Sequence, residues 1–209
     1  MKNLIFLLIA LLFFSITQAQ GNIDTVIIGK QTWMQRNLDV SRYANGDTIP
    51  EVKDSTAWAD LTTGAWCNYN NDPAKGKMYG RLYNWYAVND SRGLSPKGWH
   101  IPGDAEWTTL TDYLGGESLA GGKMKETGLT NWESPNGNAS NFYSFTGLPG
   151  GFRDSTGAFN TIGKNGSFWC SSQTTTTNAW LRTLVYFSGF IIRYDVDKKS
   201  GFSVRCIRD

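Results

Sequence analysis

The end of the chain carries the clearest structural pattern, and residues 181–207 read LRTLVYFSGFIIRYDVDKKSGFSVRCI. Apolar and polar residues alternate along this stretch, and a period of two is typical of β-strands that bury one face. Ser188-Gly189 and residues 198–201 interrupt the alternation with turn-forming residues. We therefore predict three consecutive antiparallel strands, with Cys206 on the buried face of the last one.

Two helices are predicted upstream of these strands. Within residues 79–88, four apolar residues spaced i, i+3, i+4 and i+7 share one helical face: Tyr79, Leu82, Tyr83 and Tyr86. A second apolar stripe predicts another helix over residues 104–114, which ends at Gly115-Gly116. Gly103 precedes this helix; glycine is tolerated at an N-cap but has no side chain with which to complete a capping box, so the cap should be slightly weaker.

The first part of the chain predicts a hairpin followed by a long loop. Residues 26–28 and 31–34 flank Gly29-Lys30, and a two-residue loop that begins with Gly suits a type II′ turn. Residues 40–73 are rich in Asn, Asp, Thr and Gly without a sustained period. Since the chain shows neither an internal repeat nor a linker, we expect a single α+β domain over residues 20–209, with two helices packed on a twisted antiparallel sheet.

Residues 1–19 have the features of an export signal. Lys2 supplies the positive charge, residues 4–14 are apolar throughout, and Ala19 is the small residue before the predicted cut at Gln20. An apolar run of this length is shorter than the roughly 20 residues that span a bilayer. We expect an exported protein, located outside the cell, at its surface or in the periplasm, with no membrane span after the signal is removed.

The composition narrows the classes of partner. The chain has 20 Lys and Arg against 18 Asp and Glu, whereas aromatic residues make up 14% and include nine Trp. This near-neutral balance argues against nucleic-acid binding, which depends on releasing counterions from phosphates. The aromatic excess favours recognition of a sugar or a protein surface, because an aromatic ring buries a large area at little entropic cost.

No motif for catalysis is present in the sequence. His100 is the only histidine, so neither a His pair for a metal nor a catalytic relay involving two histidines can form. The sequence also lacks a Gly-x-Ser-x-Gly elbow, a phosphate-binding loop and a His-Glu-x-x-His helix. We therefore expect no catalytic residue, no metal and no cofactor, and we interpret His100 as structural.

Several ordered motifs resemble the Fibrobacter succinogenes major paralogous domain family. The blocks are IGKQTWM at 28–34, RNL at 36–38, YGRLYNWYAV at 79–88, GWHIP at 98–102, DAEW at 104–107, LPGGFR at 148–153 and GFSVRC at 201–206. The resemblance implies a C-type-lectin-like fold, akin to the formylglycine-generating enzyme domain, in secreted or surface proteins of bacteria. It implies no known activity, and the local motif by which enzymes of similar fold bind copper is missing here.

The three cysteines allow one disulfide bond and one free thiol. An oxidising compartment favours a bridge, but the residues alone leave three pairings open. The resemblance favours Cys67 with Cys206, since lectin-like domains tie an early segment to the last strand. We expect Cys170 to fill a core position.

The tryptophans fall into two groups by position. Those in the family blocks should lie in the core: Trp33, Trp85, Trp99, Trp107 and Trp169. The others lie in or beside variable loops, and the candidate binding residues are Trp66, Tyr69, Asn71, Trp132, Trp180 and Arg182. These features predict a non-catalytic binding module for glycans. The alternative is an adhesive or structural protein that binds a surface protein or assembles with itself.

The signal sequence makes a direct prediction about the exported protein. Because Ala19 is the small residue that signal peptidase requires, the secreted chain should begin at Gln20. Mass spectrometry of the N-terminal peptide from the expressing bacterium checks this. An N-terminus at Met1 on the exported protein would contradict it.

Overall fold

The computed structural model describes residues 23–209, and the signal peptide predicted over residues 1–19 lies outside the described residues. The helices are α1 Ser55–Ala59, α2 Pro73–Tyr79, α3 Trp85–Val88, α4 Asp104–Tyr113 and α5 Glu117–Met124. The strands are β1 Thr25–Ile28, β2 Gln31–Met34, β3 Trp66–Cys67, β4 Leu82–Asn84, β5 Trp99–His100, β6 Phe152–Arg153, β7 Phe159–Asn160, β8 Asn165–Gln173, β9 Asn178–Val185, β10 Ile191–Asp197, β11 Gly201–Phe202 and β12 Ile207–Arg208. The described chain is thus α+β, with short helices and mostly antiparallel sheets.

Three sheets organise the described residues. Their strand orders are β1-β2-β12-β5, β10-β9-β8 and β3-β4-β11-β6-β7. The last strand, β12, pairs with β2 through Ile207 and Trp33 and with β5 through Ile207 and His100. The two ends of the described chain therefore meet in one sheet.

The N-terminal hairpin is confirmed. Ile28 pairs with Gln31, so Gly29-Lys30 forms the two-residue loop. Gly29 has a φ of 62° while Lys30 has a negative φ, which is the backbone pattern of a type II′ turn. The positive φ favours glycine at this position, and a Cβ there would also lie 3.0 Å from the ring of Tyr113, a tight contact.

The helix predicted over residues 79–88 is wrong. Helix α2 ends at Tyr79, and Gly80 takes a φ of 78° that no helix continues. Leu82 and Tyr83 then form strand β4, which pairs with both β3 and β11. Their helical spacing does not reflect one shared face, since Leu82 packs in a cluster with Trp58 whereas Tyr83 packs in another with Trp85. Pairing with two strands outweighs the local pattern.

The helix predicted over residues 104–114 is confirmed as α4. The Glu106 carboxylate accepts a hydrogen bond from the N–H of Gly103 at 2.8 Å, which retains one half of a capping box. The missing cap side chain is replaced from another strand, since Ser172 Oγ accepts from the N–H of Asp104 at 3.0 Å. Ser172 on β8 thus ties the sheet to the start of the helix.

Helix α5 was not predicted, because its Gly121-Gly122 pair resembles a helix stop. The structure shows why both positions are glycine. A Cβ at Gly121 would lie 2.1 Å from the carbonyl oxygen of Phe190, and one at Gly122 would lie 2.4 Å from that of Asn138. The loops on either side pack directly onto the backbone of α5, which offsets the low helix propensity of glycine.

The last predicted strand divides into two. β11 at Gly201–Phe202 and β12 at Ile207–Arg208 belong to different sheets. Cys206 is buried as expected, but the residues that alternate with it are buried as well, because this segment crosses the centre of the molecule. The predicted long loop over 40–73 also contains helix α1 and strand β3.

The tryptophans of the family blocks lie in the core as predicted: Trp33, Trp85, Trp99, Trp107 and Trp169 are all buried. Trp33 and Trp107 have ring centroids 4.8 Å apart and pack with Phe145 and Phe168. Aromatic side chains therefore fill much of the space between short elements.

Four of the five buried cations in the described chain connect the loops to this core: Lys125, Arg153, Lys198 and Arg205. None of the four forms an ion pair with a described carboxylate, and each donates mainly to backbone carbonyl groups. Lys125 Nζ donates to the carbonyls of Gly137, Val185 and Ser188 at 2.8 to 2.9 Å. Burial lowers the pKa of Lys125 to about 8, because desolvation disfavours the charged ammonium group.

The other three cations have the same design. Arg153 donates to the carbonyls of Val52, Lys53 and Gly157, and its guanidinium lies 4.5 Å from the centre of the Trp58 ring. Lys198 Nζ donates to two loop carbonyls and to the side chain of Gln173. The same Nζ lies 4.4 Å from the centre of the Trp85 ring. Arg205 donates to the carbonyls of Met34, Phe145 and Thr146 and twice to Asn37 Oδ1.

The predicted disulfide between Cys67 and Cys206 is absent. All three cysteines are free thiols, and all are buried. Cys67 packs in a cluster with Trp58 and Leu82, whereas Cys206 packs in a different cluster with Val204 and Phe202. The two thiols thus serve as small apolar groups in separate clusters, and burial raises the pKa of each to about 12. Cys170 fills a core position, as expected.

Within residues 23–209, none of the helices has the length and apolarity that crossing a bilayer would require.

Lys125→Met should lower the free energy of unfolding by about 3 kcal/mol, because the apolar side chain leaves three buried carbonyl groups without a donor. Urea unfolding followed by tryptophan fluorescence measures the change. Lys123→Met is the matched control, since Lys123 lies two residues away in α5 and is partly exposed. Equal stability of the two variants would contradict an anchoring role for Lys125.

Candidate functional site

Four of the six predicted binding residues are buried: Trp66, Tyr69, Trp132 and Arg182. Trp66 Nε1 donates to the carbonyl of Ile49 at 2.9 Å, and the guanidinium of Arg81 lies 3.8 Å from the centre of its ring. Trp132 Nε1 donates to the carbonyl of Gly147 at 3.1 Å. These four side chains are therefore covered by the rest of the chain and do not lie on its open surface. They are needed as core residues because the elements around them are short.

The other two predicted residues are partly exposed but engaged. Asn71 Nδ2 donates to the carbonyl of Lys53 at 3.1 Å. Trp180 on β9 is covered by Arg193 of β10, whose guanidinium lies 3.4 Å from the centre of the ring. Arg193 is in turn held by two hydrogen bonds of 2.9 Å to the carboxylate of Asp104.

Trp180 and Arg182 are brought together on β9, and Trp180 also packs against the cluster that contains Trp132. Tyr69 and Asn71 lie together in one 3-10 turn. Asp104 pairs with Arg182 at 2.9 Å as well as with the Arg193 that covers Trp180. The guanidinium of Arg193 and that of Arg182 together hold the pKa of Asp104 below its usual range. Asp104 is therefore satisfied within the chain by two guanidinium groups.

A different set of aromatic residues does face solvent, and we call Tyr113, Phe142 and Tyr143 the aromatic platform. Phe142 is 71% exposed and Tyr113 is 53% exposed, while Tyr143 is partly buried between them. The ring centroids lie 4.8 Å apart for Phe142 and Tyr143, and 5.7 Å apart for Tyr113 and Tyr143. These are contact distances for aromatic pairs, so the three rings form one continuous surface.

Helix α4 and the β1–β2 hairpin position the first ring. The apolar stripe of α4 buries Trp107, Leu110 and Leu114, which leaves Tyr113 on the outer face of the last turn. Its ring lies against the turn at Gly29. The neighbouring hydroxyl of Tyr143 raises the pKa of Tyr113 above its ordinary value.

A strained loop over residues 134–146 presents the other two rings. Five of its residues other than glycine have positive φ angles: Asn136, Asn138, Asn141, Ser144 and Thr146. Such angles are uncommon outside glycine, and they persist only where surrounding contacts enforce them. Asn141 supplies one such contact, since its side-chain oxygen accepts from the N–H of Thr146 at 2.7 Å. The loop is thus a defined structure.

Buried cations hold both ends of this loop. Lys125 binds the carbonyl of Gly137 at its start, and Arg205 binds those of Phe145 and Thr146 at its end. Asn136 adds two hydrogen bonds of 2.8 and 2.9 Å to carbonyls in the preceding segment. The exposed rings therefore project from a loop whose two ends are held by buried side chains.

The binding residues predicted from the sequence do not include this platform, because they were chosen mainly by the positions of tryptophan residues. Two signals were available. Tyr113 falls outside the apolar stripe of α4, which predicts an exposed aromatic residue on its outer face. Phe142-Tyr143 interrupts a run of Asn and Ser, where no amphipathic pattern would bury it.

Two adjoining cavities offer less to a ligand. A cleft of about 1010 Å³ and a smaller one of about 340 Å³ share Arg36, Asn37 and Asp39. Asn37 uses its side chain on the Tyr79 carbonyl and on Arg205. Asp39 pairs with Arg81 at 3.0 Å. Polar groups that already have partners in the chain leave few hydrogen bonds for a small molecule.

His100 clamps the end of the chain to helix α4. Its Nδ1 lies 2.8 Å from Asp209 Oδ1 and its Nε2 lies 2.8 Å from Glu106 Oε1. Partial burial lowers the pKa of His100, but the hydrogen bonds and charges of Glu106 and Asp209 outweigh it and raise the pKa overall. This arrangement agrees with a structural role.

The described geometry defines an α+β protein with antiparallel sheets and an aromatic surface carried by a strained loop. The Fibrobacter succinogenes major domain matches residues 26–208, so the chain belongs to this family. The motif blocks from residue 28 to residue 206 predicted that membership. No curated protein matches the chain.

His100→Ala should destabilise the protein more in mild acid than in alkali. The folded-state pKa of His100 is raised above its ordinary value of 6.5, so the clamp is complete below that value and lost as pH rises through the folded-state pKa. Since the ring is partly exposed, the difference should stay below about 1 kcal/mol. Urea unfolding of wild type and variant at about pH 5.5 and about pH 9 measures it. The same loss at both values would contradict the clamp.

Proposed function

We propose that this protein is an exported, non-catalytic binding module that recognises glycans through the aromatic platform. The exposed faces of Tyr113 and Phe142 are the observation that carries this proposal. The axial C–H groups of a pyranose ring form an apolar face that stacks on an aromatic ring. A soluble domain gains little from exposing a Phe to this degree unless something covers it.

The surroundings of the platform suit a sugar. Lys30 and Ser144 are exposed beside it, and Gln35 contacts the carbonyl of Ser144 at 3.4 Å. A flat apolar face with hydroxyl, amide and ammonium groups at its edge can stack on a sugar while hydrogen bonding its hydroxyl groups. No metal is needed in this mode of binding.

The rigidity of the loop favours affinity. The rings are held in place before any ligand arrives, because Lys125 and Arg205 anchor the loop on either side of them. Binding then costs little conformational entropy beyond that of the ligand itself. Strain held by surrounding contacts is also typical of ligand-binding loops.

The proposal extends to the architecture and the compartment. A C-type-lectin-like arrangement fits the family, the antiparallel sheets and the meeting of the two chain ends through β2 and β12. Location outside the cell, at its surface or in the periplasm follows from the signal predicted over residues 1–19. The buried free thiols are consistent with an oxidising compartment, since a buried thiol with a raised pKa resists disulfide exchange.

Phe142→Ala and Tyr113→Ala should each weaken glycan binding at least tenfold while leaving the fold intact. The mature chain is first tested on an array of plant and bacterial cell-wall polysaccharides, with and without chelator. Hits are then measured by calorimetry for wild type and variants. Phe187→Ala is the matched control, since Phe187 is an exposed ring outside the platform, and the variant keeps the backbone carbonyl by which Phe187 packs on Gly137 of the platform loop.

Three outcomes would contradict the proposal. They are the absence of binding to any polysaccharide, equal loss in the Phe187 control, and binding that chelator abolishes. Trp132→Ala, which the sequence alone would single out, should instead unfold the domain because that ring is buried.

A further inference from the structure

Strand β10 is an open edge in the described structure. It ends the sheet β10-β9-β8, and its seven residues all pair with β9. Within residues 23–209, no other backbone group hydrogen bonds to residues 191–196. An exposed strand edge is a template for another strand, and native proteins commonly shield it.

The sequence of this edge, IIRYDVD over residues 191–197, is self-complementary about its centre. In an antiparallel pair, directly opposed residues point to the same face of the sheet. A two-fold axis perpendicular to the sheet must therefore lie midway between the two copies of one residue, which then oppose each other. An axis at Arg193 or at Asp195 would oppose two like charges, whereas an axis at Tyr194 opposes Arg193 to Asp195 of the second copy, twice by symmetry.

We propose that β10 pairs with β10 of a second copy of this chain, antiparallel and centred on Tyr194, to form a homodimer with one continuous six-stranded sheet. In this register Ile192 faces Val196 of the partner copy. Ile192 is 39% exposed in the isolated chain, and pairing covers it. The two Arg–Asp pairs and the two Ile–Val pairs all favour this register over its neighbours.

The charged side chains have free groups for this pairing. Arg193 uses Nε and Nη2 on Asp104, and its Nη1 donates to no side chain in the described part of the chain. Asp195 accepts from Thr174 and Asn178 through Oδ2, which leaves Oδ1 without a side-chain donor there. Internal contacts therefore hold both residues in place, and one atom of each has no side-chain partner in the described part of the chain.

The pairing goes beyond the glycan-binding proposal and is independent of it. A dimer would carry two copies of the aromatic platform, so that a polysaccharide could engage both with higher avidity. Self-association is measured without any glycan, and the platform residues lie outside β10. Failure of one proposal therefore leaves the other standing.

Sedimentation equilibrium of the mature chain tests the dimer. The wild type should reach twice the monomer mass, and Ile192→Lys should raise the dissociation constant at least tenfold because it places an ammonium opposite Val196. Asp195→Lys should do the same by facing Arg193 of the second copy. Leu129→Lys is the control, since Leu129 is also exposed and lies in a loop away from the strand.

A cysteine at the symmetry axis tests the register. Opposed Cα atoms in antiparallel strands lie about 4.5 to 5.5 Å apart, within the range that a disulfide bridges. Tyr194→Cys should therefore form an intermolecular disulfide under mild oxidation, whereas Ile192→Cys should not. The three native thiols are buried and do not compete.

Clear results would overturn the inference. A wild-type chain that sediments as a monomer at every concentration contradicts the dimer. Equal dissociation constants for Ile192→Lys and Leu129→Lys would contradict dimerisation through strand β10. Equal cross-linking of the two cysteine variants would contradict the register centred on Tyr194. Circular dichroism on each variant confirms that the fold is retained.

Discussion

Backbone carbonyl groups buried in loops impose the constraint on which this structure depends. Parts of the chain between its short helices and strands, such as residues 149–151 and 203–206, lie inside the molecule, where an unpaired carbonyl costs free energy. Lys125, Arg153, Lys198 and Arg205 meet that need, because each brings several N–H donors to one point. Their positive charge is offset by carbonyl dipoles and by the faces of aromatic rings.

This design links the core to the proposed binding surface. Lys125 and Arg205 reach the two ends of the loop over 134–146, whose exposed rings would otherwise move freely. The same cations set the path of neighbouring turns, since Lys125 also binds the carbonyl of Ser188 between β9 and β10. One buried ammonium thus positions a loop that carries the platform and a turn that leads into the open edge strand.

Local pattern predicted the elements whose stability is local. The Gly29-Lys30 hairpin, helix α4 and the strands β9 and β10 follow from turn chemistry and from a sustained period. Residues 79–88 were wrongly predicted as one helix. Strand β4 has only three residues, too few to show a period of two, and the apolar residues around it continue a helical spacing. Gly121-Gly122 misleads for the opposite reason, since close contact between backbones makes glycine necessary inside a helix.

The sequence by itself determined the family, the α+β class and the aromatic character of the core, because these depend on motif order and composition. Only the tertiary structure decided which aromatic residues are exposed. Trp132 and Phe142 both lie in loops rich in Asn and Ser, yet one fills the core and the other faces solvent. That difference depends on where distant cations and strands hold each loop, and no local pattern contains this information.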